Sequence, residues 1–289
     1  WMGEIKIAIS PDGKYLAATN SDGAIVRIWD IATNRIHRTL IGHAYGVRAV
    51  SFSADSKTLA SVASDKTVRL WQVSDGKALQ TLTGHTSTLY TVAWSKDGQW
   101  IASAGSDKNI HLWKLDTGSY QLKHTLKGHT STIRKVLFTP DNKYVISGSS
   151  DKTIRIWDIA QAKEVKKITD HKGGIYSLTI SPDGTTLASC TDYQDKTVKL
   201  FSLPAGTLIR SWTAESSNTY DIDFSPDGKT LATASVYTRI RLWEVSSGKR
   251  LREITAGTSS LYGVAFHPDG KRVYSSSYDQ RIRSWQIAD

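Results

Sequence analysis

Serine, histidine and aspartate recur together in this chain at regular separations, and these are residue types that can carry out acyl transfer. A hydroxyl, an imidazole and a carboxylate are the parts of a hydrolase triad, in which the histidine takes the proton of the serine nucleophile. A catalytic triad would occur once, in a cleft, but these sets recur at one register, and each ends on a tryptophan whose indole N–H needs a buried acceptor. We therefore assign them to the scaffold and expect neither a catalytic residue nor an enzyme. The complete sets are His43, Ser61, Asp65 and Trp71; His85, Ser103, Asp107 and Trp113; and His129, Ser147, Asp151 and Trp157.

A periodic series of aromatic residues indicates which elements must position these sets. Its members stand 42 or 44 residues apart along the chain of 289 residues. A period of this size predicts one supersecondary unit that is built repeatedly. Because the repeat is unbroken, we predict that residues 1–289 form a single domain. The seven aromatics are Trp29, Trp71, Trp113, Trp157, Phe201, Trp243 and Trp285.

Each unit has the pattern of four short antiparallel strands, which we call a, b, c and d. In the second unit, β-prone runs at 47–52, 59–62, 68–71 and 78–82 are separated by turn residues. The turn between strands a and b often reads Pro-Asp-Gly, as at Pro182-Asp183-Gly184, and this order suits a tight turn. The periodicity of an α-helix is absent, so the pattern predicts an all-β fold.

Composition narrows the class of protein and of partner. Charged residues make up 22% and hydrophobic residues 39%, and no apolar run approaches the ~20 residues that cross a membrane. Cys190 is the only cysteine, which favours a reducing, cytoplasmic location. Neither a phosphate-binding loop nor metal-ligand spacing is present, so we expect no cofactor and no metal. The net charge of +10 favours acidic partners, and it leaves nucleic acid or another polyanion as an alternative.

The unit as a whole resembles the WD-repeat family. Gly42-His43 opens the second unit, Asp65-Lys66-Thr67 precedes its strand c, and Trp71 closes that strand. In other units, Ser-Pro-Asp-Gly occupies the turn between strands a and b. The resemblance covers nearly every residue and implies a seven-bladed β-propeller of four-stranded antiparallel blades around a channel. It also implies that each His, Ser, Asp and Trp set forms a hydrogen-bonded chain within its blade. The near-consensus repeats look bacterial, and similar propellers form the C-terminal sensor end of multidomain bacterial NTPases of the STAND class.

One position of strand a carries the strongest functional signal. By family resemblance it faces the channel mouth on the face where the b–c and d–a loops lie, which we call the top face. Tyrosine and arginine dominate binding hot spots, so we predict a non-catalytic scaffold or sensor platform whose top face binds a protein or peptide, with the arginines pairing with an acidic or phosphorylated group. The predicted contact residues are Arg48, Tyr90, Arg134, Tyr176, Tyr220 and Tyr262, with Tyr193 and Tyr278 from b–c loops.

The last unit is short by one strand. In the second unit the next histidine, His85, follows Trp71 by 14 residues, whereas only four residues follow Trp285. We therefore predict that the last blade lacks its outer strand and leaves an open edge beside the first blade. We also expect that sequence upstream of Trp1 provides the closing strand.

Overall fold

The computed structural model describes residues 5–287, and these residues form 27 β-strands in seven antiparallel sheets. No helix occurs among them. Six sheets have four strands in chain order and the last has three, as the repeat pattern predicts. The chain is therefore an all-β propeller of seven blades, and nothing in residues 5–287 has the helical length and apolar character needed to cross a bilayer.

The strands of the first three blades follow one another along the chain. Blade 1 contains β1 (Ile7–Ile9), β2 (Tyr15–Thr19), β3 (Ile25–Asp30) and β4 (Arg35–Ile41). Blade 2 contains β5 (Val47–Phe52), β6 (Thr58–Ala63), β7 (Val68–Gln72) and β8 (Ala78–Leu82). Blade 3 contains β9 (Leu89–Trp94), β10 (Trp100–Gly105), β11 (Asn109–Asp116) and β12 (Ser119–Lys127).

The remaining blades repeat this order. Blade 4 contains β13 (Ile133–Phe138), β14 (Tyr144–Ser149), β15 (Ile154–Asp158) and β16 (Lys163–Ile168). Blade 5 contains β17 (Ile175–Ile180), β18 (Thr186–Thr191), β19 (Thr197–Ser202) and β20 (Leu208–Thr213). Blade 6 contains β21 (Thr219–Phe224), β22 (Thr230–Ser235), β23 (Arg239–Glu244) and β24 (Arg250–Thr255). Blade 7 contains β25 (Leu261–Phe266), β26 (Arg272–Ser277) and β27 (Ile282–Gln286).

The hydrophobic core lies between neighbouring blades, because each sheet buries both of its faces. Val26 and Leu40 of blade 1 pack in one cluster with Val47, Leu59 and Trp71 of blade 2, and all five side chains are buried. Similar clusters join the later blades. Burial on both faces explains why strand b reads as a continuous small or apolar run instead of alternating with polar residues.

A bulge near the start of strand a recurs in six blades and re-aims one side chain. In blade 2 the pairing of β5 with β6 shifts between Val47 and Ala49, so Arg48 is the extra residue. An extra residue of this kind leaves the ladder and turns its side chain away from the sheet. The residues skipped in the other blades are Tyr90, Arg134, Tyr176, Tyr220 and Tyr262.

The edge of blade 7 leaves core residues uncovered. Ile282 of β27 is half-buried, whereas its counterparts Val68 and Ile154 in complete blades are 0% exposed. Trp29 across the gap is half-buried as well, and a groove of about 650 Å³ separates the two blades. Within residues 5–287, no fourth strand pairs with β27.

Candidate functional site

The His, Ser, Asp and Trp sets form continuous hydrogen-bonded chains in blades 2, 3 and 4. In blade 2 the imidazole of His43 lies 2.7 Å from Asp65 through Nδ1 and 2.8 Å from Ser61 through Nε2. The indole of Trp71 donates to the same Ser61 Oγ at 2.8 Å. The sets of blades 3 and 4 have the same connections at 2.6 to 2.9 Å.

The hydrogen-bond partners of His43 in blade 2 indicate its tautomer and argue against nucleophilic chemistry. Burial lowers the pKa of His43 despite its bond to Asp65, so the ring is neutral. The neutral ring donates from Nδ1 to Asp65, and Nε2 accepts the proton of Ser61. Ser61 is 0% exposed and is held by both the indole and the imidazole, so no substrate carbonyl can reach it. The set therefore acts as an internal brace.

Blades 5, 6 and 7 keep only parts of this network. His171 in blade 5 still binds Asp195 and Ser189, but Phe201 offers no indole donor. In blade 6 the histidine position holds Glu215, which accepts from Ser235 Oγ at 3.0 Å. Blade 7 retains the bond from the Trp285 indole to Ser275 at 3.1 Å.

Three bulge tyrosines and one loop tyrosine form an unbroken series of ring contacts at the channel mouth. Tyr176 and Tyr220 pack edge to face with centroids 5.2 Å apart, and Tyr220 lies 4.9 Å from Tyr262. Tyr262 in turn lies 6.3 Å from Tyr278 of the b–c loop in blade 7. Offset aromatic contacts of this kind hold rings in fixed positions at little cost in entropy.

Two guanidinium groups continue the series on the opposite side of the mouth. The guanidinium carbon of Arg134 lies 4.9 Å from the ring centroid of Tyr90 and 5.6 Å from that of Tyr176. That of Arg48 lies 5.7 Å from the centroid of Tyr90. The structure thus brings together seven of the eight predicted contact residues.

The eighth predicted residue, Tyr193, lies farther out. It belongs to the b–c loop of blade 5 and is 60% exposed, and no ring contact joins it to the mouth within residues 5–287. Its backbone N–H donates to Asn218 Oδ1 at 2.7 Å, and the amide of Asn218 donates to the hydroxyl of Tyr220. Asn218 therefore connects the outer loop to the mouth, a role that the repeat pattern did not predict.

Sequence reasoning also missed Tyr237 and a set of charged side chains. Tyr237 is 47% exposed on the b–c loop of blade 6 and stands between the loops that carry Tyr193 and Tyr278. The sequence shows that Tyr237 occupies the position where other units have the scaffold aspartate. That substitution indicates a lost hydrogen bond within the blade, but it does not indicate that the tyrosine is exposed on the surface.

The charged side chains that line the mouth belong to the residue that follows the bulge residue in strand a. Lys6 and Lys135 line the same cavity as the bulge residues, as does Asp221. The ammonium of Lys6 donates to the backbone carbonyls of Tyr220 and Tyr262, at 3.4 and 2.5 Å. The position after the bulge carries no common residue type among the units, so comparing the units gave no signal for these residues.

Blade 6 adds a pair of carboxylates that connect neighbouring strands along the channel wall. Asp221 accepts from Ser177 Oγ at 2.7 Å and from the Val264 N–H at 3.2 Å. Asp223 accepts from the Phe266 N–H at 2.8 Å, and burial together with the nearby charge of Asp221 raises the pKa of Asp223 to about 7. This part of the channel wall therefore carries a carboxyl group that titrates near neutrality.

Metal-binding and thiol groups were sought among the described residues. Among residues 5–287, no group of three His, Cys, Asp or Glu side chains is placed to hold a metal ion. Cys190 is buried, and burial raises the pKa of its thiol well above the usual range. A thiol of this kind does not form the reactive thiolate.

Comparison with known families agrees with the geometry. The family described as WD domain, G-beta repeat matches seven segments that together cover most of the chain. Each segment ends at or just after the closing aromatic of one unit. The matched segments are residues 4–30, 34–72, 76–114, 120–158, 162–202, 206–244 and 248–286.

Similar curated proteins share short stretches with the chain. Elongator complex protein 2 of Dictyostelium discoideum is 39% identical over 66 residues, which is 22% of this chain and 7% of that protein. Apoptotic protease-activating factor 1 of Mus musculus is 40% identical over 57 residues, or 20% of this chain and 4% of that protein. The U5 small nuclear ribonucleoprotein 40 kDa protein of Homo sapiens is 37% identical over 62 residues, or 22% and 17%. The alignments thus cover less than a fifth of each of these relatives.

Proposed function

This chain belongs to the WD-repeat family, whose propellers are generally non-catalytic scaffolds for protein interaction, and we propose that its top face binds a protein or peptide partner. The observation that carries the proposal is the continuous arc of tyrosines and arginines at the channel mouth. These side chains combine large contact area with a polar end and are the commonest binding hot spots. The names of the similar proteins, which include a complex subunit and a ribonucleoprotein component, fit a protein that works in assemblies.

Two parts of the mouth would contribute in different ways. Tyr176, Tyr220, Tyr262 and Tyr278 would take apolar or aromatic side chains of the partner between their rings. Arg48 and Arg134 would pair with an acidic or phosphorylated group. Tyr90 lies between the two arginines and Tyr193 stands on the rim, so both would extend the contact area.

Paired substitutions at the mouth test this proposal. We expect Tyr176→Ala with Tyr220→Ala to weaken capture of partners from lysate of the source cell, because it removes the centre of the ring series. Leu79→Ala with Val165→Ala is the matched control, since both side chains are exposed on outer strands. Proteins that the wild type and the control retain but the tyrosine variant loses would support binding at the top face. Identical retention by all three baits, at equal melting temperatures, would refute it.

A second candidate function, binding of nucleic acid or another polyanion, is favoured by the net charge of +10. Such binding weakens steeply with salt, because each neutralised phosphate releases a counterion. Titration with single-stranded and double-stranded oligonucleotides of random sequence between 50 and 200 mM salt would reveal it, with affinity falling by about 10³-fold or more for six contacts. A flat salt response excludes this function and leaves the protein platform.

A further inference from the structure

Three residues of blade 3 depart from the residue types of the other units. The residue after the closing aromatic is Lys114 in blade 3, whereas the other units have an acid, an amide or a serine there. Lys114 pairs across the sheet with Trp100, and no other unit has tryptophan at that position. His124 of strand d is the one histidine at its position among the six four-stranded blades. Because the other blades form without these side chains, the fold does not require them, and they are free to serve binding.

The three side chains lie together near the end of blade 3 that is opposite the top face. The imidazole of His124 is nearly parallel to the indole of Trp100, with centroids 5.9 Å apart and 20° between the ring planes. The ammonium of Lys114 lies 5.5 Å from the centroid of the same indole. Partial burial and the charges of Lys123 and Lys114 lower the pKa of His124, so its ring stays neutral near pH 7. The indole is thus held between two neighbours, and it is half-buried, which leaves part of its surface open to a ligand.

These residues line a pocket of about 630 Å³ between blades 3 and 4, which we call the blade 3 pocket. Blade 4 provides the opposite wall through its a–b turn and the residues that follow β15. Asn142 of that turn accepts a hydrogen bond from the Lys96 N–H at 2.9 Å, which ties the turns of the two blades together. A volume of this size is typical of sites for small molecules.

Positive charge prevails in the blade 3 pocket. Lys114, Lys123 and Lys143 line it together with a single carboxylate, that of Asp158. One oxygen of Asp158 already accepts a backbone N–H at 2.8 Å. Lys143 lies 4.0 Å from Asp141, whereas neither Lys114 nor Lys123 forms an ion pair within residues 5–287. The two unpaired lysines are exposed, so an anion can reach both of them.

The pocket one blade earlier has a different balance of charge. It lies between blades 2 and 3 and contains Lys96 together with Asp55 and Asp97. Blade 4 likewise has Asp158 at the position where blade 3 has Lys114. The excess of lysine beside an indole is therefore a feature of the blade 3 pocket and not of the repeat.

We propose that the blade 3 pocket binds a nucleotide, with the base stacked on Trp100 and the phosphate groups held among the three lysines. Every nucleobase has a flat face that stacks on an aromatic side chain. Phosphate oxygens accept charge-assisted hydrogen bonds from lysine. A ligand with only one of these two parts would leave either the indole or the lysines without a partner. The site lies away from the channel mouth, so this inference goes beyond the proposed function and does not rest on it.

Ligands that carry one or both parts of a nucleotide test the proposal. Isothermal titration calorimetry at 150 mM salt, without magnesium, compares ADP with adenosine, which lacks phosphate, and with pyrophosphate, which lacks the base. We expect ADP to bind about tenfold or more tightly than either of the other two, because stacking and charge both contribute. A strand of five adenylates shows the source of the nucleotide. Tighter binding of the strand than of ADP would indicate a nucleotide within RNA, and weaker binding a free nucleotide; both results require the pocket.

The repeat itself provides substitutions that the fold accepts. Trp100→Thr introduces the residue that blade 2 has as Thr58, and it should lower the affinity for ADP to that for pyrophosphate. Lys114→Gln introduces the residue that blade 2 has as Gln72, and it should weaken ADP and pyrophosphate by a similar factor but leave adenosine unchanged. Trp100→Tyr keeps a ring and should retain most of the affinity for ADP. Lys229→Gln, in the exposed a–b turn of blade 6, is the matched control and should bind ADP as the wild type does.

The outcomes separate this site from the top face. Equal affinities for ADP and pyrophosphate would overturn the proposal, as would unchanged binding of ADP in Trp100→Thr and Lys114→Gln when circular dichroism shows that both variants fold. Loss of ADP binding in Lys229→Gln to the same degree as in Lys114→Gln would also overturn it, because the effect would then follow from overall charge. Tyr176→Ala with Tyr220→Ala should leave the affinity for ADP unchanged, so failure of the top-face proposal does not affect this test.

Discussion

At the scale of single residues, the same polar types that could form a hydrolase triad serve as internal braces. Ser103 shows why, because its hydroxyl accepts from the Trp113 indole at 2.8 Å and bonds to His85 at 2.8 Å while being 0% exposed. A buried hydroxyl with two fixed partners stabilises the fold and has no access to substrate. Binding at the channel mouth, by contrast, requires side chains that are held in position and still keep hydrogen-bond donors, as Arg48 and Arg134 do when only their Nε groups bond to Ser64 and Ser150.

Removal of one brace should destabilise the protein measurably. Ser103→Ala leaves the Trp113 indole N–H and one nitrogen of His85 without a partner, so we expect the free energy of unfolding to fall by about 1–3 kcal/mol. Urea unfolding followed by tryptophan fluorescence measures the change. Ser216→Ala, at an exposed serine, should stay within about 0.5 kcal/mol of the wild type. Equal stability of the two variants would contradict a bracing role.

At the scale of elements, the bulge of strand a decides what faces the channel. It turns one residue, such as Tyr220, toward the mouth and lets the next, Asp221, reach the neighbouring blades. Comparing the units in sequence reveals the first position because tyrosine and arginine recur there. It does not reveal the second, because Lys6, Lys135 and Asp221 have different chemistry and acquire a common role only when the blades close around the channel.

Strand β21 should respond to pH through Asp223. The pKa of Asp223 is raised to about 7 in the fold, so the native state binds this proton more tightly than the unfolded state does. The stabilisation is therefore complete below pH ~4 and is lost as the pH rises through about 7. We expect Asp223→Asn, which cannot ionise, to gain melting temperature relative to the wild type as the pH rises from 4 to 8.

A matched variant isolates this effect from other titrations. Asp116→Asn changes an exposed aspartate on β11, and its difference from the wild type should not vary over this pH range in the same direction. Thermal melts by circular dichroism at half-unit pH intervals provide the comparison. A constant difference between Asp223→Asn and the wild type would show that Asp223 does not titrate in the channel.

At the scale of the whole molecule, the repeat determines the architecture, and among residues 5–287 β27 is the one third strand with no fourth strand beside it. Ile282 and Trp29 stay half-buried where complete blades bury the equivalent side chains. In five of the six four-stranded blades, strand d covers this position with a leucine or isoleucine, as Leu82 does for Val68, and in blade 5 Trp212 covers Val198. An extended segment with leucine at that register would cover the apolar surface that Ile282 and Trp29 leave exposed.

A synthetic strand should therefore stabilise the propeller. We expect a peptide with the sequence of residues 78–86 to raise the melting temperature of the 289-residue chain in a concentration-dependent manner, because it binds only the folded state. A peptide in which serine replaces the leucine equivalent to Leu82 is the control and should have little effect. If both peptides shift the melting temperature equally, or neither does, β27 does not accept a strand in this register.

The period of the aromatics predicted seven repeated units and the short last unit, and the resemblance to the WD-repeat family implied that the units are blades of a propeller. The same resemblance implied that Arg48, Tyr176 and Tyr262 face one mouth, and neither the period nor the resemblance gave their contacts. Sequence comparison could not predict that Arg48 and Arg134 both contact the ring of Tyr90, because the three residues come from three blades and their contact depends on how the blades curve around the channel. Nor could it identify Tyr237, which takes the place of a scaffold aspartate.

Footprinting of a captured complex tests the central claim most directly. Hydroxyl-radical labelling, read by mass spectrometry with and without the bound partner, reports the exposure of each side chain. If the partner docks on the top face, labelling of Tyr193, Tyr237 and Tyr278 falls on binding. Labelling of the exposed outer-strand residues Leu79, Ile209 and Leu251 then stays unchanged. Protection of the outer strands with no change at the three tyrosines would contradict the account.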